Sequence, residues 1–359
     1  MGTKGLRLQK KSLSLNNLAQ IALFIENNAV KIRFVLAFLL LSALPCVAHT
    51  VIEEGDHYAV SHKWHYLKKQ WQCSINIPVE LYQYYQGRRH MSDDMVQFVL
   101  SDHDRGCIRS LVSSFREGGI EAGYSDRENM GNVIKFVQTL RYVSDMDSKG
   151  TDDYVRFPIE TLVDGEGDCE DMAILAAAIL HEMGYSVLLV VLPDHLALAI
   201  AYDEELDGTY YPYNGSKYYF LEVTHPGWDI GQIPDTFKKS KASLVPLVYQ
   251  PMMRLLKCSY QQDSYYLYNK NVRFVLHCEL ENAGPGQTEG LQLHVLFKSN
   301  GRKTVVDRVF PLQEMMEGEM NAYELELTVP RPFHGSLEVH VEGDNFNPKS
   351  MSFDHIKLK

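Results

Sequence analysis

Residues 165–183 read Gly165-Glu-Gly-Asp-Cys-Glu-Asp-Met-Ala-Ile-Leu-Ala-Ala-Ala-Ile-Leu-His-Glu-Met183, and Gly184 follows. Cys169, Met172, Ala173, Ala176, Leu180 and Met183 recur at intervals of three and four, so the spacing predicts a helix over 169–183. Asp168 stands where an N-cap belongs, acids fill the first turn, and Gly184 stands just past the end. The helix carries a thiol in its first turn. Unpaired backbone N–H groups and the helix dipole favour a thiolate there. Asp168, Glu170 and Asp171 oppose it, because nearby negative charge raises a thiol pKa. A reactive Cys169 therefore needs an imidazolium partner.

Three strand candidates follow, at 185–191, 195–202 and 217–223. Pro193-Asp-His-Leu-Ala-Leu-Ala-Ile-Ala201 supplies a histidine. Side chains alternate along a strand, so His195 shares its face with Ala197, Ala199 and Ala201. Small alanines would let a helix pack close and bring Cys169 to the imidazole. Tyr218-Tyr-Phe-Leu-Glu-Val-Thr224 then places Glu222 near the end of the next strand, where it could orient the ring. A carboxylate holding an imidazole that activates a nucleophile is the logic of a catalytic triad. Residues 230–234 read as a turn beside the site. Taken singly, a buried cysteine, a strand histidine and a carboxylate are ordinary structural residues; their order on a helix and two successive strands is what points to a site.

The stretches Phe136-Val-Gln-Thr-Leu-Arg-Tyr142, Tyr154, Pro158, Glu160-Thr-Leu162, Gly167-Asp-Cys-Glu-Asp171, Gly184-Tyr185, Asp194-His195, Leu221-Glu-Val-Thr224, Gly231 and Pro234 together resemble the transglutaminase-like cysteine-enzyme superfamily. The likeness is nearest to its secreted prokaryotic branch and covers roughly residues 60–240. It implies an α+β fold with a papain-like core, in which a helix carrying Cys packs on an antiparallel sheet carrying His and acid. It implies Cys169 as nucleophile, His195 as base and Glu222 as orienting acid. Family members more often have Asp in the third place, and Glu is one methylene longer. Candidates for the oxyanion donor are the Cys169 backbone N–H, Gln138 and Tyr154, with Asp168 shaping the site.

The surrounding chain sets the context. Its 359 residues suggest two or three domains. The formal net charge is −11, yet the first 48 residues hold six bases and one acid, so the remainder carries −16. A body so acidic lacks the counterion release that drives nucleic-acid binding. The run FVLAFLLLSALPCVA at 34–48, preceded by Lys31 and Arg33, is short for a span and reads as a signal peptide. The alternatives are an uncleaved anchor or a buried helix. Residues 1–29 would then be an over-extended start, with Val30 as the alternative initiation point. An exported protein, periplasmic or extracellular and with no stable membrane span, is expected.

Residues 49–80 read as irregular and aromatic, and 81–145 as mostly helical, with helical spacing at 94–100, 107–115 and 129–142. The expected organisation is a leader over 1–48, a mostly helical part over 49–130, a catalytic core over 131–248 and an immunoglobulin-like β-sandwich over 252–359. The sandwich rests on alternating runs at 272–280, 291–297, 304–310, 322–329 and 336–341, separated by Gly/Pro/Asn turns. It carries no visible chemistry and is expected to position the core or to contact a partner. Cys73, Cys107, Cys169, Cys258 and Cys278 are an odd count beyond residue 48. Bridges Cys258–Cys278 and Cys73–Cys107 compete with five reduced thiols.

Several motifs are set aside. Asp145-Met-Asp-Ser-Lys-Gly150 begins like a calcium loop, but Lys149 replaces an oxygen ligand and Arg156 stands where the terminal Glu belongs, so it reads as a solvated loop. His62, Trp64 and His65 lack further metal ligands at suitable spacing. Tyr82, Tyr84, Tyr85, Arg88 and Arg89 read as an amphipathic structural helix. No metal and no cofactor are expected. The expected function is an exported thiol hydrolase acting on a peptide or isopeptide amide of a protein or peptide substrate. Transamidation to an amine and a catalytically silent scaffold are the alternatives.

Overall fold

The computed structural model describes residues 7–9, 49–91, 94–202, 204–263, 270–300 and 303–358. The leader expected over 1–48, with its over-extended start, lies outside the described residues except for the short strand β1 (Arg7–Gln9). The chain divides into two compact units, residues 18–248 and residues 249–359 with 1–17. Helix and strand are mixed in the first, and the second is built of strands. Among the described residues no helix is long and apolar enough to cross a membrane.

Residues 49–80 are not irregular. They form an antiparallel meander, β2 (His49–Glu54), β3 (His57–Tyr66) and β4 (Lys69–Pro78). Val60, His62 and Trp64 alternate on the buried face of β3. The β3–β4 hairpin turns on Leu67 and Lys68, both at positive φ (45° and 63°). Two such residues make the turn that matches strand twist, but it is usually announced by Asn-Gly or Gly-Gly. Leucine and lysine hide it.

Helices follow: α1 (Val79–Gln86), α2 (Val96–Val99), α3 (Arg105–Ala122), α4 (Asp126–Val137), α5 (Asp145–Ser148), α6 (Pro158–Asp164) and α7 (Cys169–Glu182). The helix expected to run to Tyr142 ends at Val137. Arg141–Tyr142 (β5) instead pairs in parallel with Glu166–Gly167 (β6), setting Tyr142 beside Gly167 at the entrance to α7. Every α7 residue from Asp171 to Leu180 is buried. A helix apolar all round belongs in the middle of a core, and α7 packs against α3, α4 and α6 as well as the sheet.

That sheet is antiparallel, with order β11-β7-β8-β10-β9. Its strands are β7 (Val187–Leu192), β8 (His195–Ala201), β9 (Tyr210–Tyr213), β10 (Ser216–Leu221) and β11 (Ser243–Pro246). The face of β8 that joins the helical core is the large one, Leu196, Leu198 and Ile200. Ala197 and Ala199 lie in a separate cluster with Val190, Phe220 and Ile233. The expectation that alanines receive the helix is thus reversed: they make room for the 230–237 segment, and leucines fill the gap under α7.

The second unit has two antiparallel sheets, ordered β1-β16-β13-β12 and β15-β14-β17-β18. Its strands are β12 (Met253–Asp263), β13 (Asn271–Asn282), β14 (Gln292–Ser299), β15 (Thr304–Pro311), β16 (Met320–Pro330), β17 (Phe333–Glu342) and β18 (Lys349–Leu358). Phe274 and Leu276 from one sheet share a single core with Val295, Phe297 and Val339 from the other. All five cysteines named above are free thiols, including the two pairs offered as bridges. Cys258 and Cys278 nonetheless face each other across β12 and β13 with their sulfurs 3.0 Å apart.

Candidate functional site

The local sequence builds the entrance to α7 as a tied corner. Asp168 caps the helix through Glu170 N–H at 3.1 Å, and Asp171 reaches back to Asp168 N–H at 3.2 Å, completing a capping box. A Cβ at Gly167 would strike the Asp171 side chain, so only glycine fits before the cap. Asp171 is also bound by Arg156, through both its main-chain N–H at 2.7 Å and its guanidinium. Arg156 is wholly buried and donates further to Asp164 at 3.1 Å, Asp145 at 3.3 Å and Ser148 at 2.8 Å. The loop is exposed at Met146, Asp147 and Gly150, as expected of a solvated loop, but Asp145 and Arg156 are buried. Asp145 is turned inward to meet the Arg156 guanidinium.

Cys169 opens the helix with its side chain buried. Burial pushes the thiol pKa up, and the adjacent Glu170 pushes it further, since Sγ donates to Glu170 Oε2 at 2.8 Å. The Leu196 main-chain N–H, one residue beyond His195, pulls the other way by donating to the sulfur. Burial first, and the acids after it, thus outweigh the one donor to the sulfur.

His195 heads β8 and its Nε2 meets Glu222 Oε2 at 2.9 Å. Glu222 lies one residue past β10, and its other oxygen accepts from Thr224 twice, from N–H at 3.0 Å and from the hydroxyl at 2.7 Å. Burial alone would raise the Glu222 carboxyl. The hydrogen bonds from His195 and Thr224 outweigh it and hold the group below its ordinary range. The His195 ring stacks on Phe237, centroids 4.7 Å apart and planes 5° from parallel. Phe237 follows the turn at Ile230–Gly231, whose glycine N–H bonds Phe220 O at 2.8 Å, tying the segment to the sheet.

The remaining expected residues have other partners. Gln138 donates to Glu222 O at 2.9 Å and to Trp228 O at 3.0 Å, so its amide clamps the main chain that carries the acid. Tyr154 donates to Glu160 Oε1 at 2.9 Å and stacks on His90, 3.9 Å between centroids. Both side chains are thus engaged with these partners. Asp168 is pushed up to about 8 by burial and then by Asp171, Glu170 and Asp145.

Three participants were not singled out by sequence reading: Phe237 under the imidazole, Thr224 on the carboxylate, and Tyr142 beside them; Glu170, expected to oppose the thiolate, does so. The Tyr142 phenol is pushed up to about 12 by partial burial and by the nearby charges of Cys169, Asp168, Glu170 and Glu222. One of these has a sequence signal, because Thr224 follows Glu222 at the spacing of a short side-chain-to-backbone turn.

Residues 120–233 match the family model described as Transglutaminase-like domain, a segment that contains Cys169, His195 and Glu222. No curated protein matches the chain. Among solved structures, a Bordetella pertussis protein assigned as ApaA is 11% identical with a TM-score of 0.23, over 31% of this chain and 94% of its own. A Bacteroides fragilis protein assigned as a β-galactosidase is 9% identical with a TM-score of 0.25, over 47% of this chain and 28% of its own. A protein from Archaeoglobus fulgidus is 13% identical with a TM-score of 0.19, over 29% of this chain and all of its own. At these scores the three structures bear on neither fold nor function.

Proposed function

From the transglutaminase-like domain at residues 120–233, we propose that this protein is an exported thiol hydrolase that cleaves a peptide or isopeptide amide through Cys169, His195 and Glu222. The observation that carries the reading is the His195–Glu222 pair at 2.9 Å, on the strand whose next residue, Leu196, donates its N–H to the Cys169 sulfur.

Glu222 takes Nε2 of the ring, so Nδ1 is the nitrogen left for the thiol once it leaves Glu170. In the first step Cys169 Sγ gives its proton to Nδ1 and bonds the substrate carbonyl carbon. The Cys169 N–H in the first turn of α7 receives the developing oxyanion. Nδ1–H then protonates the departing amine as the C–N bond breaks, leaving a thioester on Cys169. Water, deprotonated at Nδ1, attacks the thioester and releases the acid and the thiol. Glu222 stays ionised throughout and supports the imidazolium. Before this sequence the thiol must leave Glu170, whose carboxylate holds its proton in the resting arrangement. The papain-like order of helix, base strand and acid strand is part of the same proposal.

The test is a peptide-library digest by the full chain, read by mass spectrometry. Products gaining one water, an acyl adduct on Cys169 at short times, and loss of both in Cys169→Ala and His195→Ala are expected. Adducts carrying a supplied primary amine in place of water would reassign the protein to transamidation. The absence of both products, with substrate peptides still retained, would reassign it to a silent binding module.

A further inference from the structure

The β2–β3 pair places two histidines opposite each other. His49 and His62 are cross-strand partners, and their ring centroids are 5.7 Å apart. Their tautomers follow from what the Nε2 atoms do. His49 Nε2 lies 3.2 Å from Val163 O, a carbonyl that can only accept, so Nε2 carries the hydrogen. His62 Nε2 lies 3.0 Å from Thr139 Oγ1, which spends its own hydrogen on Phe136 O at 2.7 Å. Nε2 of His62 therefore also donates. Both Nδ1 atoms are left as bare lone pairs, and both are buried without a hydrogen-bond partner among the described residues.

Two buried acceptors on neighbouring rings that the described residues leave without a donor are costly. The His62 ring is 2% exposed and abuts Phe136 and Trp64, an apolar surround. One ring nitrogen fixed by a carbonyl or a hydroxyl is the arrangement in which metal-binding imidazoles are held. With metal–nitrogen bonds of about 2.0 Å, two rings sharing one ion have centroids roughly 5 Å apart at a tetrahedral angle and roughly 6 Å apart in line. The observed separation lies between. Among the described residues no third histidine, cysteine or carboxylate atom completes a set with these two. A Cβ at Gly165 would overlap the His49 ring, so glycine there leaves the ring its place. His49 is half-buried on the edge strand of its sheet, which gives an ion a way in.

We propose that Nδ1 of His49 and Nδ1 of His62 form a two-coordinate site for a monovalent d10 cation, Cu(I). Two neutral nitrogen donors suit an ion that is content with two ligands, whereas zinc prefers four. No bond within the protein breaks on binding, and no proton is released, because both donor nitrogens are already bare.

The experiment is an anaerobic titration of the full chain with Cu(I) against bicinchoninate, after alkylating accessible thiols with iodoacetamide. One equivalent is expected to be withheld from the chelator, with two nitrogen scatterers and no sulfur at the copper X-ray edge. His49→Gln keeps a donor for Val163 O and removes the lone pair; it is expected to lower the affinity at least tenfold. His62→Gln should do the same, and His49→Gln decides the matter if that buried variant does not fold. Equal Cu(I) affinity in wild type and His49→Gln would overturn the site. So would sulfur in the first coordination sphere, or a crystal grown with Cu(I) in which a water bridges the two Nδ1 atoms.

Discussion

Glu222 Oε2 and His195 Nε2 stand 2.9 Å apart, and the same carboxylate receives two hydrogen bonds from Thr224 on Oε1. Both oxygens are thus committed, and the hydrogen on the imidazole is fixed at Nε2. Glu222→Gln tests this without changing size. Its carbonyl would stay on Thr224, its NH2 would face Nε2, and the hydrogen would have to move to Nδ1, where it blocks proton uptake from the thiol. Turnover should fall about 10²–10⁴-fold, as for a triad with the wrong tautomer, while the melting temperature moves little. An unchanged rate would separate Glu222 from the chemistry.

Glu170 makes a second prediction, in pH. Burial and then the Glu170 carboxylate raise the Cys169 thiol above its ordinary value. Glu170→Gln removes the charge and leaves the burial, so the thiol pKa must fall. The iodoacetamide labelling profile of Cys169, followed by peptide mass spectrometry, should shift its inflection to lower pH. Labelling at pH 7–8 should then speed up severalfold, because the thiolate is the nucleophile. A profile that stays in place would mean that Glu170 does not hold the thiol.

Arg156 makes a third. Its guanidinium, itself wholly buried, meets Asp145, Asp164 and Asp171. Arg156→Met would leave the buried Asp145 and Asp171 uncompensated, while Asp164 keeps Lys149 at 2.9 Å, and urea unfolding should show a loss of about 3–5 kcal/mol at pH 7. The sign with pH is definite. Without the cation the acids have raised folded-state pKa values, so the folded state binds more protons than the unfolded chain and the deficit shrinks as pH falls from 7 toward 4. A deficit that grows in acid would contradict the burial of these carboxylates. Because Asp171 also holds the Asp168 N–H at the start of α7, the variant should loosen Cys169 before the core melts.

The parts legible in the sequence are those set by local rules. Asp168 and Gly184 bracket α7 because capping and left-handed termination are matters of single residues, and β13 to β17 declare themselves by alternation. The rest depends on partners far away in the chain. Leu67 and Lys68 make a tight turn because strands β3 and β4 hold them there. Arg156 is buried only because three acids from separate elements converge on it. Ala197 and Leu198 share a strand, and which of them faces the helix depends on the opposing element, not on the strand. Gln138 is a helix C-cap by position, and its bonds to Glu222 O and Trp228 O exist only once the sheet is in place. His49 and His62 are thirteen positions apart and meet through strand register alone, a relationship no ligand-spacing rule describes.

Gln138→Ala isolates that clamp. Two buried carbonyls, of Glu222 and Trp228, would lose their shared donor, at about 1–3 kcal/mol in chemical unfolding. The Glu222 main chain would be freed, so turnover should fall by more than the stability loss explains at temperatures where the variant is fully folded. Gln138→Glu, which offers acceptors to the same carbonyls, should be worse than alanine on both measures. Equal turnover in the three proteins would confine Gln138 to a structural role.

The facing thiols of the second unit are poised for oxidation. Cys258 and Cys278 are direct cross-strand partners with sulfurs 3.0 Å apart, and opposite residues in an antiparallel pair have Cα atoms within the span a disulfide bridges. The hydrogen bond from Cys278 lowers the Cys258 thiol pKa, and Cys258 is the more exposed of the two. Cys258 should therefore attack first. With oxidised glutathione, its thiolate displaces one glutathione and forms a mixed disulfide; Cys278 then displaces the second, giving the protein disulfide and two glutathione thiols. Intact mass should fall by two hydrogens, and the oxidised unit should gain about 3 kcal/mol in unfolding, the value for a loop of this length. Cys278→Ser should stop at one glutathione on Cys258, and Cys258→Ser should take up none at residue 278. If both thiols still accept iodoacetamide after oxidation, in unfolded and rapidly quenched samples, the pair is not a redox couple, and its close approach is simply the packing of two small side chains on adjacent strands.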